Sequence, residues 1–206
     1  PLHEIRNEVV GASAQALGNE TCRNGECALG NMLADIMLWR TASAGSEIAI
    51  SNGGGIRAGL PAGPVTRGDV LQVLPFGNTL ATFGLRGSDV VKALETGLAR
   101  PGSGAFPQVA GLRYRWDPSR PAGDRLRRVE VRGADGTYAP LDQARIYRLV
   151  SNNFLRRGGD GYDVLRDNAI DAYDFGPVLA DSAVAYLAER SPVAPHLEGR
   201  ISRVDQ

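Results

Sequence analysis

Between residues 53 and 64 the chain carries five glycines and two prolines, in "GGGIRAGLPAGP". The apolar run "EIAIS" (47–51) and Asn52 come directly before it. Proline removes a helical donor, and each glycine costs about 1 kcal/mol relative to alanine inside a helix, so a continuous helix is disfavoured after this strand. That matters because Gly53, Gly55 and Ala58 formally match the G-x-G-x-x-G/A dinucleotide fingerprint. The fingerprint works only where a helix opens at once and turns its N-terminus toward a pyrophosphate. Its context is missing, and there is no G-x-x-x-x-G-K-[ST] phosphate loop. This much glycine after a strand points instead to a place where something approaches the backbone closely.

Charge narrows what could approach. The 206 residues carry a formal net charge of +0, which gives no overall field toward nucleic acid or an anionic membrane. No apolar run reaches the length of a membrane span. Lys92 is the only lysine, and with arginine supplying nearly all the basic residues each arginine is a weaker clue to function. The chain begins at Pro1 without methionine or signal peptide and reads as a processed product or an excised piece of something longer.

Two cysteines, Cys22 and Cys27, stand in "TCRNGECALGN". The Asn24-Gly25 turn between them can bring the sulfurs together, so a local disulfide and an oxidising compartment are expected. A reduced pair and half a zinc site are the alternatives. The zinc alternative needs further ligands, and the two histidines, His3 and His196, stand near opposite ends of the chain.

Periodicity predicts alternating helices and strands. "ALGNMLADIMLWRTA" (28–42) has apolar residues at 29, 32, 33, 36 and 37, which is helical spacing. A short helix over 66–74 starts at Thr66 as N-cap and stops before Pro75. That start is the simplest reading of Arg67-Gly68-Asp69. Strands are expected over 47–51, 79–86, 111–116 and 125–133, the last with its arginines facing solvent. The segment 145–155 reads as a strand running into a loop, and 197–204 as a closing strand. Helices are expected over 87–100, capped by Ser88, and over 175–190. From these residues the class is α/β or α+β with a mixed sheet.

Two phenylalanines fall on turn-rich segments rather than in these elements. "LPFGN" (74–78) presents Phe76 between proline and glycine, and "SNNFLRRGGDGYDVL" (151–165) presents Phe154 shortly before a glycine turn containing Asp160. Phenylalanines are usually core residues. On loops beside a carboxylate and amides, they suit a flat heteroaromatic ligand, stacked on its faces and read at its edge.

Together "NGGGIR", "LPFGNTL", "GAFPQVAGLRY" and "YRLVSNNFLRRGGDGY" resemble the C-terminal domain of the 5′-nucleotidase family, in the family's order and from about Cys22 to the end. The resemblance implies an α+β fold, a mixed β-sheet with flanking helices. It also implies one domain over 1–206, with residues 1–20 as its start or an inter-domain linker. The family's plan places two divalent metal ions in an N-terminal metallophosphoesterase domain, which delivers the chemistry. The C-terminal domain holds the nucleoside 5′-phosphate. By the same resemblance Phe76 and Phe154 sandwich the base, Asn52 bonds the base edge with Asn78 nearby, and Asp160 accepts the ribose hydroxyls. Arg23 and Arg57 bind the sugar or phosphate end. The glycines after Asn52, Gly55 among them, let the backbone approach the ligand. Some relatives carry a second arginine where this chain has Gly25, which implies a weaker or differently arranged phosphate contact.

No run resembles the family's metal-binding motifs. The resemblance therefore implies a chain without catalytic or metal-binding residues of its own, inactive in isolation, from a periplasmic or extracellular bacterial 5′-nucleotidase. The alternatives are a UDP-sugar hydrolase or cyclic-nucleotide phosphodiesterase of the same plan, some of which stack the base on tyrosines, and a stand-alone nucleoside-binding protein.

Overall fold

The structure, a computed structural model, describes residues 2–205, with side chains from residue 4. Helix α1 (Leu2–Asn7) and strand β1 (Val9–Ser13) come first, then helix α2 (Ala28–Arg40) and strand β2 (Ile48–Asn52). The glycine run forms a single 3₁₀ turn, Gly53–Gly55, and Ile56 beyond it is extended. No dinucleotide-type helix opens there. Strand β3 (Gly63–Thr66), helix α3 (Arg67–Val73), strand β4 (Leu80–Arg86) and helix α4 (Gly87–Leu98) follow. Strands β5 (Pro107–Ala110), β6 (Leu112–Trp116), β7 (Leu126–Arg132), β8 (Tyr138–Pro140) and β9 (Ile146–Asn152) then run in succession. Two short helices, α5 (Asn153–Arg156) and α6 (Asp163–Asp167), lead to β10 (Ile170–Tyr173), α7 (Leu179–Arg190) and β11 (Ile201–Arg203).

The fold is α+β with mixed sheets and flanking helices. A five-stranded sheet has the order β10-β4-β9-β2-β5, in which β9 and β2 are parallel and the other pairs antiparallel. A four-stranded sheet, β11-β6-β7-β8, is antiparallel except where β11 joins β6. Strands β1 and β3 form a two-stranded ribbon. Alternation along β2 and β9 sends side chains to two cores. Ala49 and Val150 join the one containing Leu29, Leu33, Ile36 and Met37 of α2, whereas Ile48, Ile50 and Leu149 join the one containing Phe83, Phe106 and Trp116. Strand β2 is therefore buried on both faces. Its end, and that of β9, become fixed points for whatever follows them.

Three local expectations need correction. Thr66 caps α3 through a complete capping box with Asp69, but Ser88 does not cap α4. The N-cap is Arg86, without a side-chain bond. The N–H groups of Gly87 and Ser88 instead donate to the carbonyls of Arg145 and Gln143 in the turn before β9, so a capping side chain is unnecessary. Residues 175–178 are not helical. The Pro177 carbonyl accepts the Leu80 N–H, and the helix begins only at Leu179. After β9 the chain enters the short helix α5 rather than a loop, with the Asn152 side chain accepting from the Leu155 N–H.

Candidate functional site

Strands β2 and β9 run parallel as neighbours and end on Asn52 and Asn152. The carboxyl ends of parallel strands are where loops leave a sheet and where ligands gather in α/β sheets. Here they leave into the two glycine-rich segments. The second of these, Gly158–Gly161, has Gly158 at φ 90°, Asp160 at φ 55° and Gly161 at φ 85°. Aspartate tolerates the left-handed region better than most side chains, and the glycines occupy it without strain. Tyr162, fully buried, fixes the exit of this turn by donating to the Ala105 carbonyl at 2.6 Å. Burial, and secondarily the Asp160 charge, push its hydroxyl pKa far up, so it remains a donor.

Phe76 sits in the turn before β4 with 60% of its surface exposed, and Phe154 sits at the start of α5 with 44% exposed. The Phe154 ring packs over Gly159, where a Cβ would lie 2.6 Å from the ring. The Arg57 guanidinium stands 5.9 Å from the centre of the Phe76 ring. Arg23 comes from the loop closed by the Cys22–Cys27 disulfide. Among the described residues no ion pair includes Arg23, Arg57 or Asp160.

Arg23, Asn52, Gly55, Arg57, Phe76, Asn78, Phe154 and Asp160 all line one cavity of about 320 Å³. The residues singled out from four separate stretches of sequence thus come together. Gly54 and Gly104 complete the lining. Sequence reasoning missed Gly104, although its place in "GSGAF" beside another turn was a usable signal. It also missed Asn152, whose position before a short helix is an N-cap signature.

Gly53 and Gly54 are also required by the packing of the chain itself. A Cβ on Gly53 would strike the Cys22 carbonyl, and one on Gly54 would lie 2.7 Å from the Gly104 Cα. Gly53 and Gly54 also donate to the carbonyls of Phe106 and Gly104, at 2.8 and 2.9 Å. Asn52 is 4% exposed; its Nδ2 donates to Asp160 Oδ2 and its Oδ1 accepts from Asn152 Nδ2, both at 3.0 Å. One amide hydrogen and one lone pair remain for anything else.

The chemistry available is stacking, hydrogen bonding and charge. Among the described residues no group of three or more His, Cys, Asp or Glu could hold a metal ion. His196 is exposed on the surface, and the His3 side chain lies outside the described residues. No helix among them is long and apolar enough to cross a membrane.

Residues 9–167 match the family model described as "5'-nucleotidase, C-terminal domain". The chain is 41% identical to the trifunctional nucleotide phosphoesterase protein YfkN of Bacillus subtilis, over 98% of this chain and 14% of that protein. It is 33% identical to the 5′-nucleotidase of Diplobatis ommata, over 99% of this chain and 38% of that one. The crystal structure of a 5′-nucleotidase precursor from Thermus thermophilus superposes with a TM-score of 0.96 and 45% identity, covering all of this chain and 41% of its own. The chain spans well under half the length of each of these proteins. It belongs to the 5′-nucleotidase C-terminal domain family.

Proposed function

We propose that this domain binds the nucleoside of a nucleoside 5′-phosphate, and that a metallophosphoesterase domain of the same longer polypeptide hydrolyses the ester with two divalent metal ions. The observation that carries this reading is the pair of exposed phenylalanines facing one cavity with Asp160, Arg23 and Arg57. Phe76 and Phe154 stack on the base, since exposed rings gain most from a flat aromatic partner. Asp160 accepts from the ribose hydroxyls, with Oδ2 already steadied by Asn52 and Oδ1 available. Asn52 and Asn78 supply polar groups for the base edge. The guanidiniums of Arg23 and Arg57 suit the phosphate end because a forked donor matches anionic oxygens. The disulfide supports a periplasmic or extracellular setting.

Calorimetric titration of the chain with adenosine, AMP and a UDP-sugar tests the reading. Saturable binding of adenosine and AMP is the expected outcome, with no phosphate released from AMP in the presence of Zn²⁺, Mn²⁺ or Co²⁺. Absence of binding at millimolar ligand would overturn the nucleoside assignment. Sustained turnover beyond a contaminant control would overturn the assignment of the chemistry to another domain.

A further inference from the structure

Asn52, at the end of β2, lines the cavity, and Asn152, at the end of β9, is hydrogen-bonded to it. The Leu155 N–H donates to Asn152 Oδ1 at 2.9 Å, Asn152 Nδ2 donates to Asn52 Oδ1 at 3.0 Å, and Asn52 Nδ2 donates to Asp160 Oδ2 at 3.0 Å. An amide is both donor and acceptor, so each asparagine in isolation could face either way. The ends of the series allow only one direction. A backbone N–H can only donate, and an ionised carboxylate can only accept. With both amides almost fully buried, at 1% and 4% exposed, a reversed amide would leave polar groups facing their own kind without water to intervene.

We propose that Asn152 is a positioning residue for sugar recognition. By capping α5 it fixes the direction of the relay and delivers an N–H, through Asn52, to one oxygen of Asp160. The Asp160 carboxylate is then locked in one orientation, with its second oxygen presented to the ligand. The same relay ties the start of α5, which carries Phe154, to the turn that carries Asp160, so the stacking ring and the hydroxyl acceptor hold a fixed relation. This rests on the nucleoside reading for its ligand, but the direction of the relay exists without one.

Two substitutions test it. Asn152→Asp keeps an acceptor for the Leu155 N–H, and aspartate caps helices as well as asparagine does. It has no N–H to give Asn52, which must turn its amide and oppose its own oxygen to Asp160. Asn152→Ser keeps a capping oxygen but loses the reach to Asn52, so either variant can decide the matter if the other fails to fold. Two readouts are used: a trans-hydrogen-bond scalar coupling from Asn52 Nδ2 to the Asp160 carboxyl carbon in the unliganded chain, and the affinities of adenosine and 2′,3′-dideoxyadenosine. Loss of the coupling is expected, with adenosine binding weakened about tenfold, as for a lost hydrogen bond to a charged group. Dideoxyadenosine affinity should be unchanged. A purely structural role for Asn152 would weaken both ligands alike. The proposal is overturned if the coupling persists in a folded variant, or if adenosine and dideoxyadenosine lose affinity equally. If the unaltered chain binds neither nucleoside, the nucleoside reading fails, and the coupling alone decides the relay.

Discussion

The side-chain amide of Gln108, wholly buried in the middle of β5, donates to the Cys22 carbonyl at 2.8 Å. It donates at the same distance to the Gly25 carbonyl, and its Oε1 accepts from the Cys27 N–H at 3.5 Å. One strand residue thus satisfies three backbone groups of the disulfide loop that carries Arg23. The loop is held from inside the protein as well as across its sulfurs.

Gln108→Leu should therefore destabilise the domain although leucine fills a similar space. Each buried carbonyl left without a donor costs about 1–3 kcal/mol, and relaxation of the loop toward water limits the total to roughly that range. Urea unfolding measures it. The same variant should lose more affinity for AMP than for adenosine, because Arg23 is the group whose support is removed. Equal losses would detach Arg23 from the phosphate end.

Gly30 makes a second, opposite case to ordinary helix propensity. Alanine is favoured over glycine inside a helix by about 1 kcal/mol, yet a Cβ at Gly30 would lie 2.6 Å from the Gln108 Cδ. Gly30→Ala should lower the melting temperature and disturb the Gln108 bonds. Gly25, where an added Cβ meets nothing within 4 Å, is the control: Gly25→Ala should stay within about 0.5 kcal/mol, as surface substitutions usually do. Reversed effects would mean that Gln108 is readily displaced.

The Cys22–Cys27 bond closes a loop with a sequence separation of 5. Chain-entropy arguments give about 2 kcal/mol of stabilisation for so short a loop. Alkylation of the intact, unreduced chain should find no free thiol, and reduction should lower the unfolding free energy by about that amount. Two alkylated cysteines in protein purified under oxidising conditions would reject the bond.

Much of this fold is legible in the sequence where a segment's own pattern decides its structure. Apolar spacing places α2, and Thr66 with Asp69 places the start of α3. The failures lie where distant backbone substitutes for a local signal. Ser88 has the chemistry of a cap, but the Arg145 and Gln143 carbonyls take the helix N–H groups before it is needed. Val9–Ser13 and Gly63–Thr66 carry little strand signal alone and exist as a mutual ribbon. At the cavity, the side chains with unusual settings were readable: phenylalanines beside glycines, an aspartate in a glycine turn. The buried supports were not. Gln108 is one polar residue in an apolar stretch, and only the fold reveals that the disulfide loop lies against it.

Outside the cavity lining, Glu130 of β7 is held between Arg113 and Arg128, each at 2.7 Å, and its side chain is 8% exposed. The hydrogen bond from Arg113, opposed by burial and reinforced by both charges, keeps its carboxyl below the ordinary value of 4.5. A carboxylate with a folded-state pKa below its unfolded one contributes stability in full above the unfolded value. That contribution is lost as pH falls through the folded one. The wild-type domain should accordingly lose stability as pH drops below about 4.5, the unfolded-state reference, while Glu130→Gln is less stable at neutral pH and flatter across this acid window. Unfolding free energies measured from neutral to acid pH check it. Parallel profiles would show that Glu130 contributes nothing to acid sensitivity.

The phenylalanine pair gives the sharpest separation between folding and binding. Phe76 and Phe154 are 60% and 44% exposed, whereas Phe83 and Phe106 are wholly buried. Truncating a buried phenylalanine costs about 3–5 kcal/mol of stability, and Phe106→Ala should behave in that way. Phe76→Ala should cost less, because more than half of its surface stays exposed after folding. Phe154→Ala falls between them, since its ring covers Gly159 and the turn carrying Asp160 loses that support. For a stacked base the order changes. Either truncation should weaken adenosine binding by about 1–3 kcal/mol, the usual scale of base–aromatic stacking. The Phe76 variant also removes the ring beside the Arg57 guanidinium, so its loss for AMP should exceed its loss for adenosine. Calorimetry and urea unfolding on the same preparations separate the two quantities. If both variants unfold the domain, or both leave adenosine affinity untouched, the rings are not a clamp, and the cavity between them holds some other ligand.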